Sequence, residues 1–166
     1  MRDLGVVWGP WKSWRLCQTD NVIVNEFEDA QTLLTRKFND VCSFWTNEDN
    51  FAKLGRPDKV NLYRQLINPD LILKDDILAL ALAASRYKIV LVVGYDLLTL
   101  ASSASQLDKH NKKKWIAEIK KIIKTNSNTQ FVFVDLPKSA MQDFSNLENF
   151  TNDTYDNILK LLVNID

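Results

Sequence analysis

Two aspartates follow the two apolar stretches that are predicted to be buried strands. Asp96 ends the stretch 88–96 (KIVLVVGYD), and Asp135 follows the stretch 130–134 (QFVFV). If these stretches are parallel neighbouring strands, both carboxylates lie at one edge of a sheet, where open α/β sheets bind ligands. Two carboxylates at that edge could hold Mg²⁺, which prefers oxygen ligands. One hypothesis is therefore a small Mg²⁺-dependent phosphoesterase or nucleotide-binding protein that uses Asp96 and Asp135.

A simpler interpretation of these two aspartates competes with the metal site. Aspartate is common where a loop begins, because its side chain accepts hydrogen bonds from nearby backbone N–H groups. The simpler interpretation is favoured. Glu26, Asp29 and Tyr95 could join the carboxylate pair only if the first strands of the chain lie alongside.

Several familiar sites are excluded by the residues that the chain lacks. With four glycines in 166 residues, no segment matches G-x-G-x-x-G or the P-loop pattern, so the standard phosphate-binding loops are absent. One histidine, His110, and two distant cysteines, Cys17 and Cys42, cannot build a zinc site of the common kinds. The chain has no G-x-S-x-G segment, which is the pattern that indicates a serine hydrolase. No cofactor is therefore predicted, apart from Mg²⁺ in the alternative hypothesis.

Lysines concentrate in and before one predicted helix. They are Lys109, Lys112, Lys113, Lys114, Lys120, Lys121 and Lys124. Lysines on one face could contact nucleic-acid phosphates without reading sequence. However, this segment has no arginine and no outward aromatic residue for base stacking. A solvated helix surface is the favoured interpretation, so nucleic acid is an open but not a favoured partner.

Three tryptophans stand within seven residues near the N-terminus, Trp8, Trp11 and Trp14. Tryptophan is over-represented in the residues that dominate binding energy at protein interfaces. A short segment has difficulty burying three indoles, so these residues could form a contact surface for a protein partner or a second copy. The alternative is that they cover one end of the core, and the two interpretations are about equally weighted.

The fold that must position these residues is predicted to be α/β. The stretches 89–93 and 130–134 are continuous apolar runs, typical of strands covered on both faces in the middle of a parallel sheet. About 35 residues separate them, enough for a βαβ crossover. Apolar spacing predicts helices at 28–40, 58–67, 75–86 and 111–124, with a last helix after Asn152. Short strands are predicted at 4–8, 14–17, 22–25 and 41–45, some of them antiparallel.

These elements predict one domain, 1–166, with a three-layer Rossmann-like or flavodoxin-like architecture. Its mixed sheet has a parallel centre and a short antiparallel N-terminal portion.

The 21 basic and 21 acidic side chains balance, so net charge gives no argument for nucleic-acid or membrane binding. No stretch reaches the roughly 18 apolar residues of a membrane span, and no signal peptide is apparent. We expect an intracellular, cytoplasmic protein. The chain has 15 lysines, 6 arginines and 15 asparagines. This composition fits an AT-rich genome, such as many phages have.

Two functions remain as hypotheses. The favoured one is a non-catalytic protein-interaction or assembly module that uses Trp8, Trp11 and Trp14. The alternative is the Mg²⁺-dependent protein with Asp96 and Asp135. The absence of glycine loops and metal clusters from the sequence tilts the balance toward the first.

Overall fold

The computed structural model describes residues 6–10, 20–35, 43–55, 57, 60–63, 75–93 and 106–163. The chain forms two compact units, Met1–Ser85 and Arg86–Asp166. Each unit has its own parallel sheet, and the α/β class predicted from the sequence is confirmed. The prediction of a single domain stays a prediction.

The first unit contains a four-stranded parallel sheet in which the strands lie in chain order. The strands are β1 (Trp8–Pro10), β2 (Asn21–Val24), β3 (Ser43–Thr46) and β4 (Val60–Leu62). In the register of the sheet, Val22 pairs with Phe44, and Phe44 pairs with Val60. All three pairings are parallel, so the carboxyl ends of the strands meet at one edge.

Helices α1 (Phe27–Thr35) and α2 (Glu48–Lys53) follow β2 and β3 in the chain. Their apolar residues pack on one face of the sheet in a cluster of Val22, Val24, Ala30, Leu33, Phe44 and Val60, joined by Leu34, Phe51 and Leu54. Helix α3 (Asp75–Ala84) contacts β1 and β2. Ile23 points away from that cluster because side chains alternate along a strand, and it is completely buried. We infer that α3 covers the second face.

The second unit contains a three-stranded parallel sheet of β5 (Ile89–Val92), β6 (Gln130–Val134) and β7 (Phe150–Asp153). Helix α4 (Gln106–Thr125) lies between β5 and β6 in the chain. The predicted parallel βαβ unit is therefore confirmed, with Val90 paired with Phe131. Helices α5 (Lys138–Met141) and α6 (Tyr155–Val163) precede and follow β7.

The structure differs from the predicted sheet in two ways. The described strands form two sheets rather than one mixed sheet. Every described strand pair is parallel, including β1 with β2, so no antiparallel portion is shown. The predicted strand at 14–17, which was to supply the antiparallel partner, lies outside the described residues.

Some local predictions were also wrong. Residues 60–62, predicted to be helical, form strand β4, because pairing with β3 outweighs the helical spacing of their apolar side chains. The predicted loop 46–50 contains the start of α2, where the Asn47 side chain accepts a hydrogen bond from the Asn50 N–H. Strand β7 and the short helix α5 were not predicted.

Candidate functional site

The outer face of the three-stranded sheet is the largest exposed apolar feature in the described part of the chain. Ile89, Leu91 and Val93 are 65%, 42% and 63% exposed, whereas the alternate residues Val90 and Val92 are buried. In the register of the sheet, Leu91 lies beside Val132, which in turn lies beside Thr151. The side chains on this face are therefore apolar along β5 and become polar toward β7.

The opposite face of the same sheet is covered by aromatic packing. Phe131 and Phe133 of β6 are completely buried, and so is Phe144. Ring centroids of Phe133 and Phe144 are 5.7 Å apart, and those of Phe144 and Phe150 are 5.1 Å apart. The buried residues of β5 and β6 point to this side, as does the half-buried Phe150 of β7, so the alternate side chains of the three strands form the exposed face.

The prediction that the run 89–93 is covered on both faces was therefore wrong. A run in which every residue is apolar hides the alternation that normally reveals a half-exposed strand. Residues 94–96, including Asp96 and Tyr95, lie outside the described residues.

Asp135 follows β6, as predicted, and its carboxylate accepts a hydrogen bond from the backbone of helix α6. The Tyr155 N–H, at the start of α6, donates to Asp135 Oδ2 at 3.3 Å. The Asp135 N–H donates to the Asp153 carbonyl oxygen at 2.9 Å, and Asp135 has a positive φ of 55°. A carboxylate at a helix N-terminus is stabilised by free N–H groups and by the helix dipole. These contacts support the structural interpretation of Asp135.

The Mg²⁺ hypothesis stays a prediction, because Asp96 is outside the described residues. Within the residues that the structure covers, no three histidine, cysteine, aspartate or glutamate side chains are close enough to hold a metal ion. Glu26 and Asp29 follow β2 in the four-stranded sheet, whereas Asp135 follows β6 in the three-stranded sheet. The structure therefore does not place these carboxylates at the edge of one sheet.

A neutral polar cluster, which sequence reasoning missed, lies at the carboxyl edge of the four-stranded sheet. Asn50 Nδ2 donates to the Asn25 carbonyl oxygen at 2.6 Å and to Thr46 Oγ1 at 3.3 Å. Thr46 Oγ1 donates to the Val24 carbonyl oxygen at 2.8 Å, and the Tyr63 hydroxyl donates to Asn25 Oδ1. These bonds join the ends of β2, β3 and β4. Each residue is unremarkable in the sequence, so only the strand order could have revealed the cluster.

The tryptophans are only partly described. Trp8 is half-buried and packs against Trp45, with ring centroids 5.4 Å apart. Trp45 Nε1 donates to Asn21 Oδ1 at 3.0 Å. These contacts support a packing role for Trp8. Trp11 and Trp14 lie outside the described residues, so the N-terminal contact surface stays a prediction.

The lysines lie on α4, as predicted, although not all on one face. Lys113, Lys114, Lys121 and Lys124 are exposed, and Lys120 is half-buried with its Nζ 5.9 Å from the centre of the Phe144 ring. Lys112 is also half-buried and falls on the apolar side of the helix. The side chains of Lys109 and His110 lie outside the described part. We call Lys113, Lys114, Lys120, Lys121 and Lys124 the lysine surface.

No helix in the described part of the chain is both long and apolar enough to cross a membrane. Comparisons of the chain with protein-family models, with curated proteins and with solved structures found no match.

Proposed function

We propose that the protein is a non-catalytic assembly module that associates with a second copy of itself through the outer face of its three-stranded sheet. The observation that carries this proposal is the exposure of Ile89, Leu91 and Val93 on one side of β5. Scattered exposed apolar residues are normal on a protein surface, but a contiguous row points to an interaction surface.

The energetics of the sheet favour covering this face. Parallel sheets are covered on both faces in almost all α/β proteins. Fully burying a leucine, isoleucine or valine side chain contributes about 1.5–3 kcal/mol. Because Ile89, Leu91 and Val93 are roughly half to two thirds exposed, a covering partner would gain about 1 kcal/mol or more at each.

A second copy suits this surface because the surface is uncharged at its centre. A two-fold contact brings the same patch together from both copies, so a charge at the centre of the patch would face the same charge on the other copy. The outward residues of β5 and β6 are Ile89, Leu91, Gln130, Val132 and Val134, and none is charged.

The size of the face limits the strength of the contact. A surface only three short strands wide falls below the roughly 1,200 Å² of total area that stable complexes bury. We therefore expect a weak dimer whose population rises with concentration.

The test is sedimentation of the full chain over a concentration series. Wild-type protein should show a weight-average mass that rises above 19.2 kDa as concentration increases, and Leu91→Lys should remain monomeric. Val7→Lys is the matched control, because Val7 is 43% exposed against 42% for Leu91 and lies in the other unit. It should behave as wild type. A wild-type monomer at every concentration, or equal effects of the two lysines, would overturn the proposal.

The finer features of the fold are also proposals. The repeated order of parallel strand, helix and parallel strand in each unit supports a Rossmann-like architecture. A single domain predicts one cooperative thermal transition for the full chain, whereas two independent domains would give two transitions.

A further inference from the structure

Helix α4 has two sharply different sides. Its apolar side is buried in the second unit through Trp115, Ile116, Ile119, Ile122 and Ile123. The lysine surface occupies the other side, with exposed Ala117 between its members. None of the five lysines forms an ion pair with a carboxylate of the described residues. Glu118 lies one helical turn from Lys114 and Lys121 and is the one acidic residue among positions 113–124, so these positions carry a net charge of +4.

Helical geometry arranges these lysines in two rows. At 3.6 residues per turn, Lys113, Lys120 and Lys124 fall within about 40° of one another, and Lys114 and Lys121 within about 20°. With a rise of 1.5 Å per residue, the first row is about 16 Å long. The flexible lysine side chains along such a row can each contact a phosphate of the same nucleic-acid backbone.

We propose that the lysine surface binds the phosphate backbone of double-stranded nucleic acid without reading its sequence. Positions 113–124 contain no arginine, asparagine or glutamine, which are the residues that hydrogen-bond most often to base edges. The lysines can therefore neutralise phosphates but cannot distinguish bases.

Other polyanions fit this surface less well. The surface contains no aromatic side chain on which unpaired bases could stack, so single strands lack their main source of affinity. A membrane-bound amphipathic helix inserts its apolar side into the bilayer, but that side of α4 is buried in the protein. A duplex combines a high charge density with backbone contacts that need only ammonium groups.

The salt dependence of binding gives a quantitative expectation. Each neutralised phosphate contributes about −0.9 to the slope of log K against log salt concentration, so four or five contacts give a slope of roughly −4. Replacing three lysines should make the slope less steep by about 2.7 and weaken binding at least about tenfold at moderate salt.

The experiment is fluorescence anisotropy of a labelled duplex titrated with the full chain at several salt concentrations. The test variant is Lys113→Gln, Lys120→Gln and Lys124→Gln combined. The control variant combines Lys53→Gln, Lys88→Gln and Lys138→Gln, which removes the same charge from exposed positions outside α4. It is closely matched, because Lys53 lies 5.9 Å from the Phe27 ring, as Lys120 does from Phe144.

We expect the test variant to lose affinity at least about tenfold and the control variant less than about twofold. Thermal melting of both variants checks that each is folded. Three results would overturn the proposal: no duplex binding at low salt, equal losses in the two variants, or tighter binding to a single strand of the same sequence. Equal affinity for polyglutamate or for anionic phosphatidylserine vesicles would also overturn it, because it would show attraction to any negative charge.

Discussion

Asn50 Nδ2 donates a hydrogen bond to the carbonyl oxygen of Asn25 at 2.6 Å, and so joins the first turn of α2 to the end of β2. Asn50 is 5% exposed. The same amide group also contacts Thr46 at the end of β3. One side chain thus holds two strand ends and a helix together at the carboxyl edge of the four-stranded sheet.

Replacing Asn50 by alanine should therefore destabilise the protein. The change removes the shorter of two side-chain hydrogen bonds to the Asn25 carbonyl oxygen, since Asn47 Nδ2 also donates to that oxygen at 3.3 Å. It also removes the hydrogen bond to Thr46 Oγ1, and the loss of two hydrogen bonds costs about 1–3 kcal/mol. Chemical denaturation measures the loss of unfolding free energy. Asn128→Ala is the control, since Asn128 is exposed, and it should change stability by less than about 0.5 kcal/mol. Equal effects of the two substitutions would contradict a clamping role for Asn50.

Asp135 offers a test that separates its hydrogen bond to the first residue of α6 from metal binding. Asparagine tolerates a positive φ, and its side-chain oxygen can accept the Tyr155 N–H as the carboxylate does, so Asp135→Asn should cost less than about 1 kcal/mol. Alanine cannot accept the Tyr155 N–H and is strained at a φ of 55°, so Asp135→Ala should cost about 1–2 kcal/mol. Thermal melting with and without Mg²⁺ provides the measurement. Stabilisation of the wild type by Mg²⁺ that disappears in Asp135→Asn would instead favour the metal hypothesis.

Sequence patterns predicted best the elements whose side-chain spacing reflects their own packing. Helix α4 places Ile116, Ile119 and Ile123 on its buried side, as their spacing indicates. Strand β4 was mispredicted because Val60 and Tyr63 have helical spacing, whereas the pairing with β3 that determines the structure is a long-range contact. The exposed face of β5 was missed for a related reason. When every residue of a strand is apolar, only the tertiary structure shows which half is covered.

Phe144 should be one of the most sensitive positions of the second unit. It is completely buried and packs against Phe133 and Phe150. Phe144→Ala should cost about 3–5 kcal/mol through lost burial and a cavity. The matched control is Phe27→Ala, because Phe27 has a lysine at the same distance but is only half-buried.

The control separates burial from the cation–π contact, which is worth about 0.5–1 kcal/mol at exposed sites. We expect Phe27→Ala to cost less than half as much as Phe144→Ala in urea unfolding. Similar losses would mean that the lysine contact, rather than the aromatic cluster, dominates the stability at Phe144.

Trp8 distinguishes the N-terminal contact surface from the sheet face as the basis of self-association. Trp8 packs on Trp45 in the first unit, so Trp8→Ala should lower the unfolding free energy by about 2 kcal/mol, less than for a fully buried tryptophan. Trp8→Phe keeps an aromatic ring against Trp45 and should recover much of that loss.

Sedimentation of both folded variants should give the wild-type association constant. A tryptophan that anchors an interface contributes at least about 2 kcal/mol to binding, roughly a thirtyfold change. A loss of association of that size in Trp8→Phe, with stability retained, would move the contact surface from β5 to the tryptophan segment.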